Sequence, residues 1–384
     1  MNRLDKNKTC KKCVLNDGDP NLKIDDNGYC NICNQELIRS SESTSQQVYV
    51  GSEINLKKCY DRSIEFDEYI KRNEKRDYDC MLMLSGGKDS LYILNKIINK
   101  DKLNPLMFTF NHPFESKKAL KNIETVMEKI PGEYVNYSPS IISFKEIMKT
   151  VLTKKYEDSI VAEVGLRIPC AVCALYMILC AILFAKKMNI RYVFYCADSN
   201  QMTYLPTSTK FVLHAFINLC GENLFSILPQ KAQIEELINL EEDELPQIVY
   251  PFATIGYDAN EILKEVKNLG LYESSPTETH CILYPLLNLY SIKRYNKYYY
   301  SEEISSKIRS GLLERDKVIK FLNQYKELIV DVAKKDQVND EDKKIIRKVI
   351  AMLDDNASAV EYESVNIERI PEIMKYLGVN YKDV

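Results

Sequence analysis

The stretch that decides the fold reads Cys80-Met81-Leu82-Met83-Leu84-Ser85-Gly86-Gly87-Lys88-Asp89-Ser90 and runs into a helical segment, 91–98. Its first five residues are apolar and predict a buried strand of a parallel sheet. The adjacent glycines let the backbone approach an anion, and the two serines supply hydroxyl donors. The helix that follows presents free N–H groups and a positive dipole end. The stretch therefore predicts a phosphate-binding loop between a strand and a helix.

The loop is not the G-x-x-x-x-G-K-[ST] loop of kinase-like NTPases, because its glycines are adjacent and an aspartate follows the lysine. Its pattern resembles S-G-G-x-D-S, the signature of the PP-loop family of adenine-nucleotide α-hydrolases at this strand-to-helix turn. The resemblance implies cleavage of ATP between the α and β phosphates, with assistance from Mg²⁺. It also implies which residues hold the leaving pyrophosphate: Ser85, Gly86, Gly87, Asp89 and Ser90. Lys88 stands at the variable position and adds positive charge. A surface Ser/Gly turn with a helix cap at Ser90 is the alternative reading.

The remaining sequence predicts an α/β fold. Apolar runs at 105–110 and 191–196 predict further buried strands, and helical stretches near 90–99, 117–129 and 171–188 lie between the strands. This alternation predicts a mostly parallel sheet with crossover helices, which we identify with the PP-loop, HUP-like fold class. At 384 residues the chain is long enough for several domains. We predict a zinc ribbon at 1–38, a linker at 39–76, a catalytic domain at 77–290 and a helical region at 291–384.

Composition narrows the class of protein. Hydrophobic residues at 45% and charged residues at 28% argue against a disordered or fibrous chain. We find no apolar run of the roughly 18 residues that a membrane span needs and no signal-peptide core, so we predict a cytoplasmic protein without a membrane partner. The net charge of -3 disfavours a partner held mainly through nucleic-acid phosphates.

The first cysteines form two identically spaced pairs, Cys10-x-x-Cys13 and Cys30-x-x-Cys33. Their separation suits two knuckles that converge on one tetrahedral Zn²⁺. Asn27-Gly28, just before the second pair, is a tight-turn signal. A structural zinc ribbon is the prediction, because so small a unit needs a metal to be stable. Four unrelated thiols are the alternative.

A second group of cysteines has two readings. Buried cysteines commonly behave as small hydrophobic residues, which is what we expect of Cys180 and Cys220. Cys170-x-x-Cys173 opens the apolar helix, however, and Cys281 follows far downstream. The trio resembles the C-x-x-C and lone cysteine that hold a 4Fe-4S cluster in PP-loop enzymes that put sulfur into tRNA bases. That resemblance implies a cluster with one open iron and gives these cysteines a catalytic role together with Asp89.

Other residues are weaker candidates. Asp198 and Asn200 follow the strand at 191–196, at the carboxyl edge where open α/β sheets bind ligands, so they are candidates for substrate or Mg²⁺ contacts. His280, beside Cys281, is a candidate acid, base or hydrogen-bond partner of a cluster ligand. The basic and aromatic stretch 293–300 suits either a nucleic-acid surface or, more simply, a solvated helix edge.

Two enzyme readings share adenylation of a substrate oxygen. The favoured reading is an ATP-dependent sulfur transferase that replaces a carbonyl or amide oxygen with sulfur and gives a thioamide or thiocarbonyl. In the alternative, ammonia is the nucleophile: residues 10–33 and 303–315 resemble N-acetyl sugar amidotransferases of surface-polysaccharide pathways. A third reading is a non-catalytic zinc-ribbon adaptor that kept a nucleotide-binding fold, against which the intact loop argues.

The predicted cofactors and partners follow from the favoured reading. The cofactors are ATP, Mg²⁺, Zn²⁺ and a 4Fe-4S cluster. The acceptor carries an amide or carbonyl group, and the net charge favours a small or peptide-like molecule over tRNA, which remains a possible acceptor. A donor protein or sulfide supplies the sulfur, and a homodimer is a possible assembly.

Overall fold

The structure is a computed structural model that describes residues 8–18, 22–34, 50–72, 74–156, 168–197, 202, 205–273, 281–299, 301–309, 311, 313–350 and 367–384. Contacts divide the chain into two compact units. The sheet unit comprises Gln47–Ile147 and Val172–Ser275. The ribbon unit comprises Met1–Gln46, Met148–Ala171 and Pro276–Val384. Each unit is thus built from segments that lie far apart in sequence.

The sheet unit contains a five-stranded, all-parallel sheet. Its strands in chain order are β1 Cys80–Met83, β2 Pro105–Phe110, β3 Tyr134–Tyr137, β4 Tyr192–Phe194 and β5 Gln247–Val249. Their spatial order is β3-β2-β1-β4-β5. β1 is central and pairs with β2 on one side and with β4 on the other. The α/β fold class with a parallel sheet is therefore confirmed, and the strand order is consistent with a HUP-like fold.

Helices connect the strands of this unit. In chain order they are α1 Val50–Lys71, α2 Lys88–Asn95, α3 Lys117–Lys129, α4 Ile141–Thr153, α5 Ile168–Lys187, α6 Thr209–Cys220, α7 Glu222–Ser226, α8 Lys231–Ile238, α9 Phe252–Ile255 and α10 Ala259–Asn268. α2 continues into a short π-helical turn, Lys96–Lys100. The first residues of α5 belong to the ribbon unit, as do the last residues of α4.

Local sequence explains where several of these helices begin. The Ser116 hydroxyl accepts hydrogen bonds from the backbone N–H groups of Lys118 and Ala119 and so caps α3. Asp258 caps α10 in the same way. A side-chain oxygen at this position satisfies N–H groups that the helix itself leaves without a partner. The two caps therefore fix the residues at which α3 and α10 begin.

The structure adds elements that the sequence pattern does not reveal. β3 is only half-buried and β5 has three residues, so neither shows a strong apolar run. Helix α1 lies within the stretch 39–76 that we predict as a linker. It packs Phe66 edge-on against Phe194 of the sheet, with ring centroids 4.7 Å apart. Its buried stripe includes a serine, Ser63, and is therefore a weak signal.

Helix α5 corrects one sequence expectation. It is long and apolar enough, by length and composition, to cross a membrane, so an apolar run of that length is present. In the structure 61% of its most apolar window is buried. A core helix passes the same test, and Tyr176 of this helix packs edge-on against Phe110 of β2 at 5.6 Å. That burial is what an apolar helix packed against a sheet requires.

The ribbon unit combines the first cysteines with helices. These are α11 Tyr284–Tyr295, α12 Ser301–Arg309, α13 Arg315–Ala333, α14 Asp340–Ile350 and α15 Ile370–Leu377. No strand occurs in the described residues beyond 291, as the sequence pattern predicts. Arg294 of α11 joins two distant segments of the unit, because its guanidinium donates hydrogen bonds to the carbonyl oxygens of Leu152 and Lys154 at 2.7 and 2.9 Å.

Candidate phosphate loop and metal site

The predicted phosphate loop lies at the carboxyl end of the central strand β1. After β1 the chain forms β2 and then β3 on one side of it, and it later returns to the other side of β1 to form β4 and β5. This reversal of direction opens a crevice in which doubly wound sheets bind ligands. The Thr109 hydroxyl donates to the Leu84 carbonyl at 2.6 Å and closes the end of the strand. Leu84, the residue before the loop, is therefore held in place where the strand order changes direction.

Hydrogen bonds between its own residues hold the loop in shape. The Ser90 hydroxyl donates to the Gly87 carbonyl at 3.0 Å and accepts from the Ser85 N–H at 3.3 Å. The Ser85 and Ser90 hydroxyl oxygens lie 3.2 Å apart. Ser90 is buried and Ser85 is exposed. Ser90 thus shapes the loop from inside, while the Ser85 hydroxyl is accessible to a ligand.

Gly86 is required by its surroundings. Its φ of +70° is a conformation that L side chains rarely adopt. A Cβ at this position would lie 2.2 Å from the carbonyl oxygen of Ala119 in α3. The side chain of Asn122, also in α3, donates to the Gly86 carbonyl at 2.9 Å. The loop therefore packs directly on α3, at a distance that only glycine permits.

Helix α2 begins inside the loop and leaves its first N–H groups available. Gly87 is its N-cap residue, and no side chain of the described residues caps the helix. Lys88 and Asp89, the next two residues, are about a quarter exposed, and their side chains form an ion pair of 2.6 Å. Uncapped N–H groups, a helix dipole and an ammonium group together suit an anionic ligand. The arrangement is a candidate phosphate site.

A His–Glu pair at the end of β2, in which His112 is buried and Glu115 is partly exposed, was not singled out from the sequence. The His112 Nε2 lies 3.5 Å from a Glu115 carboxylate oxygen, and its Nδ1 accepts a hydrogen bond from the Phe114 N–H. Burial lowers the pKa of His112 to about 4 and raises the pKa of Glu115 to about 7. In the sequence, this pair is indicated only by the spacing of His112 and Glu115, three residues apart, just after the apolar run of β2.

Cys196, just beyond β4, is a second residue that the sequence reasoning did not single out. Cys196 is partly exposed as a residue, but desolvation of its thiol, and next the charge of Asp89, hold the pKa of that thiol well above the usual range. A thiol with so high a pKa is a poor nucleophile at neutral pH, because the thiolate is the reactive form.

The four N-terminal cysteines converge on one point. Among the residues that the structure describes, Cys10, Cys13, Cys30 and Cys33 are the one group of three or more potential ligands close enough to hold a metal ion. All four are buried, and their ligand atoms lie within 4.8 Å of one another. The Sγ atoms of Cys13 and Cys30 are 3.8 Å apart. That spacing fits a tetrahedron with Zn–S bonds of about 2.3 Å, so the residues fit a metal ion.

Backbone groups complete these knuckles. The N–H groups of Lys12 and Cys30 donate to the Cys10 sulfur at 3.4 and 3.3 Å. Hydrogen bonding, first from Cys13, lowers the pKa of Cys10, so the cluster favours a thiolate that attracts a cation. Gly28 has a φ of +88°, which confirms the tight turn predicted before the second pair.

Segments from the other end of the chain support the first knuckle. The Arg315 guanidinium donates to the carbonyl oxygens of Cys10 and Cys13 at 2.7 and 3.1 Å. The Val14 N–H donates to the Ser305 hydroxyl at 3.3 Å. The cluster and the start of α13 are thus joined by direct hydrogen bonds.

The remaining predicted site residues are only partly described. Cys170 and Cys173 lie in the first turns of α5, and Cys281 precedes α11; all three are partly exposed. Cys180 and Cys220 are buried, as expected of small hydrophobic residues. Asp198, Asn200 and His280 lie outside the described residues, so their predicted roles stay predictions. The 4Fe-4S cluster also stays a prediction.

Comparison with known proteins gives limited similarity. No protein-family model matches the chain. An uncharacterized protein of Methanocaldococcus jannaschii is 25% identical over 272 residues, which cover 69% of this chain and 79% of the relative. Among solved structures, the NMN synthetase of Francisella tularensis matches 66% of this chain and 95% of its own, at 12% identity and a TM-score of 0.28. That superposition is too loose to transfer a fold or a function.

Proposed function

We propose that this chain is an ATP pyrophosphatase of the PP-loop type that adenylates a carbonyl or amide oxygen of its substrate. The observation that carries the proposal is the position of the loop Ser85–Ser90: it follows the central strand at the switch of strand order and leads into an uncapped helix. This is where a parallel sheet offers backbone N–H groups to phosphates.

The loop residues suggest a division of labour in this reaction. The substrate oxygen bonds to the α-phosphorus of ATP as the bond to the β-phosphate oxygen breaks, so pyrophosphate leaves toward the loop. The Ser85 hydroxyl and the N–H groups at the start of α2 bind that pyrophosphate, and Lys88 neutralises part of its charge. Mg²⁺, when bound, would stabilise the phosphate charge, and the Asp89 carboxylate is a suitable oxygen ligand for it.

The loop assignment is tested by two substitutions and a control. Asp89→Ala and Ser85→Ala should reduce formation of AMP and pyrophosphate at least about 100-fold, because each removes a group that acts on the charged phosphates. Thermal unfolding should barely change, since both side chains are partly or fully exposed. Ser226→Ala, which alters an exposed serine of the same unit, should behave like the unchanged protein. Full activity in both loop variants would defeat the assignment.

The nucleophile that follows adenylation is proposed to be sulfur. Of the twelve cysteines, eight are buried and four are partly exposed: Cys170, Cys173, Cys196 and Cys281. The predicted cluster ligands are therefore three of the four, which supports a chemical role over that of core filler. A 4Fe-4S cluster with one open iron would supply bound sulfide. The C–O bond to the adenylated oxygen then breaks, AMP leaves with the oxygen, and sulfur takes its place.

The N-terminal metal is proposed to be structural Zn²⁺. Its four thiolates would complete a tetrahedron and leave no position for substrate, as in closed zinc sites. Cytoplasmic location, a small or peptide-like acceptor and a sulfur donor complete the proposal. They follow from the sequence reasoning above.

One observation favours the ammonia-dependent alternative. The two segments that resemble N-acetyl sugar amidotransferases contact each other, because Ser305 and Arg315 bond directly to the first cysteine knuckle. A shared structural unit is what a resemblance in both segments would require. In this reading ammonia replaces the adenylated oxygen of a sugar-nucleotide substrate, and the partly exposed cysteines are not needed.

Anaerobic purification separates the two readings. A sulfur transferase should be brown, with iron and sulfide, and substitution of Cys170, Cys173 or Cys281 by Ala should bleach it, since two thiolates seldom retain such a cluster. ATP binding should survive these changes. The control is Cys180→Ala, which should keep the colour. Colourless, iron-free protein after reconstitution, together with ammonia-dependent AMP formation on a sugar nucleotide, would favour the amidotransferase.

A further inference from the structure

A tyrosine from a distant loop contacts the lysine of the phosphate loop. The Lys88 ammonium donates to the Tyr257 hydroxyl oxygen at 2.6 Å and to Asp89 at 2.6 Å. The same ammonium lies 5.2 Å from the centre of the Tyr257 ring. Two short hydrogen bonds to a flexible side chain restrict an ammonium that would otherwise sample several rotamers. Lys88 is therefore oriented before any nucleotide binds.

Packing holds Tyr257 at this place. Its ring lies edge-on to Phe252 of α9 at 5.1 Å, and Phe252 stacks on Tyr92 of α2 at 6.1 Å. Tyr92 is one turn beyond Lys88 on the same helix. Downstream, the Asn95 side chain of α2 donates to Glu265 of α10 at 3.0 Å. The segment that carries Tyr257 is thus attached to α2 on both sides of the tyrosine.

We propose that Tyr257 is a positioning residue of the pyrophosphate site, acting through Lys88. This inference rests on the proposed ATP pyrophosphatase function and extends it to a residue outside the loop. The hydroxyl oxygen of Tyr257 holds the Lys88 ammonium over the start of α2. Asp89 would be the ligand for Mg²⁺ when the ion and ATP are bound, and Tyr257 would keep the ammonium directed at the phosphates.

The chemistry of the pair explains why a tyrosine suits this position. A phenol oxygen accepts a hydrogen bond from the ammonium without neutralising its charge, whereas a carboxylate would cancel it. Tyr257 therefore adds no second negative charge to the one that Asp89 already places beside Lys88. Phenylalanine keeps the ring packing on Phe252 and removes only the acceptor, so Tyr257→Phe isolates the hydrogen bond.

The experiment measures binding of inorganic pyrophosphate with Mg²⁺ by calorimetry, together with the rate of AMP formation from ATP. Tyr257→Phe should weaken pyrophosphate binding about tenfold, the effect expected for loss of a hydrogen bond to a charged group. Lys88→Ala should weaken it at least as much. The double variant should bind no more weakly than Lys88→Ala alone, because the hydroxyl acts through the ammonium. Tyr92→Phe, in the same aromatic cluster, is the matched control and should bind normally.

The outcomes distinguish this inference from the function on which it rests. Normal pyrophosphate binding by Tyr257→Phe, in a protein that forms AMP from ATP, overturns the role of Tyr257 and leaves the function intact. Additive losses in the double variant also overturn it, since they indicate a separate structural effect. If the unchanged protein neither binds pyrophosphate nor forms AMP, the proposed function itself fails.

Discussion

The cysteine cluster and the phosphate loop are both short sequence motifs, but they depend on the rest of the chain in different ways. The cluster is its own core: the buried residues of its neighbourhood are Leu15, Leu22 and the four cysteines. The phosphate loop instead stands on a sheet whose strands are buried by other elements. The cysteine cluster is thus packed mainly by its own residues, whereas the phosphate loop depends on strands and helices outside the motif.

This contrast has an energetic consequence. Two leucines and a few half-buried neighbours bury too little apolar area to fold a segment of this size, so we expect a metal ion to supply the missing stability. The loop binds its ligand on a preformed scaffold, where removal of a contacting side chain changes function and hardly alters stability. Loss of ligands should therefore unfold one site and leave the other folded.

The largest expected effect is loss of the metal. Cys30→Ser should release about one zinc ion per chain and unfold the cysteine segment, because binding free energy of a structural zinc, about 10 kcal/mol or more, is also folding free energy. Hydrogen exchange over residues 8–34 should become fast, while the sheet unit remains protected. Zinc content by mass spectrometry of the metal and exchange by peptide mapping measure both.

Cys59→Ser provides the matched control for that change. Cys59 is a buried cysteine of α1, outside the cluster, so its variant should keep the full zinc content even if stability falls. If pure protein prepared with an adequate supply of metal contains no zinc, a structural zinc ion at this site is contradicted.

The next largest effect on stability is expected at Gly86, where the phosphate loop packs on α3. Gly86→Ala should lower the free energy of unfolding by about 3 kcal/mol, because the new Cβ would meet the Ala119 carbonyl and positive φ is unfavourable for alanine. Gly378 also has a positive φ, +66°, but a Cβ there would meet no atom within 4 Å, so this residue isolates the backbone component. Gly378→Ala should cost about 1 kcal/mol.

Urea unfolding followed by circular dichroism compares the two glycine variants. If both variants lost the same free energy of unfolding, the close approach of Gly86 to α3 would be unimportant. The phosphate loop would then depend less on the rest of the fold than we infer.

The same contrast explains what the sequence could predict. The loop, its strand and the paired cysteines are local patterns, and the structure bears out the central strand, the parallel sheet and the convergence of the four thiols. Tyr257 and Arg315 reach their partners across 169 and 302 or more residues, and no local pattern encodes such contacts. Strands β3 and β5 were missed because half-burial and short length leave little apolar signal.

The smallest expected effect concerns Arg315, one of the residues outside the cysteine cluster that support it through hydrogen bonds. Arg315→Ala removes two hydrogen bonds from the carbonyls of Cys10 and Cys13, each contributing about 1 kcal/mol, so zinc affinity should fall about thirtyfold in competition with a chelator. Arg315→Lys should lose part of this, because an ammonium cannot reproduce the planar fork of a guanidinium. Arg369→Ala, which removes a partly exposed arginine paired with Glu372, should leave zinc affinity unchanged. If Arg315→Ala also binds zinc normally, the cysteine cluster does not need Arg315 to bind metal. The cluster would then depend even less on the rest of the chain than the phosphate loop does.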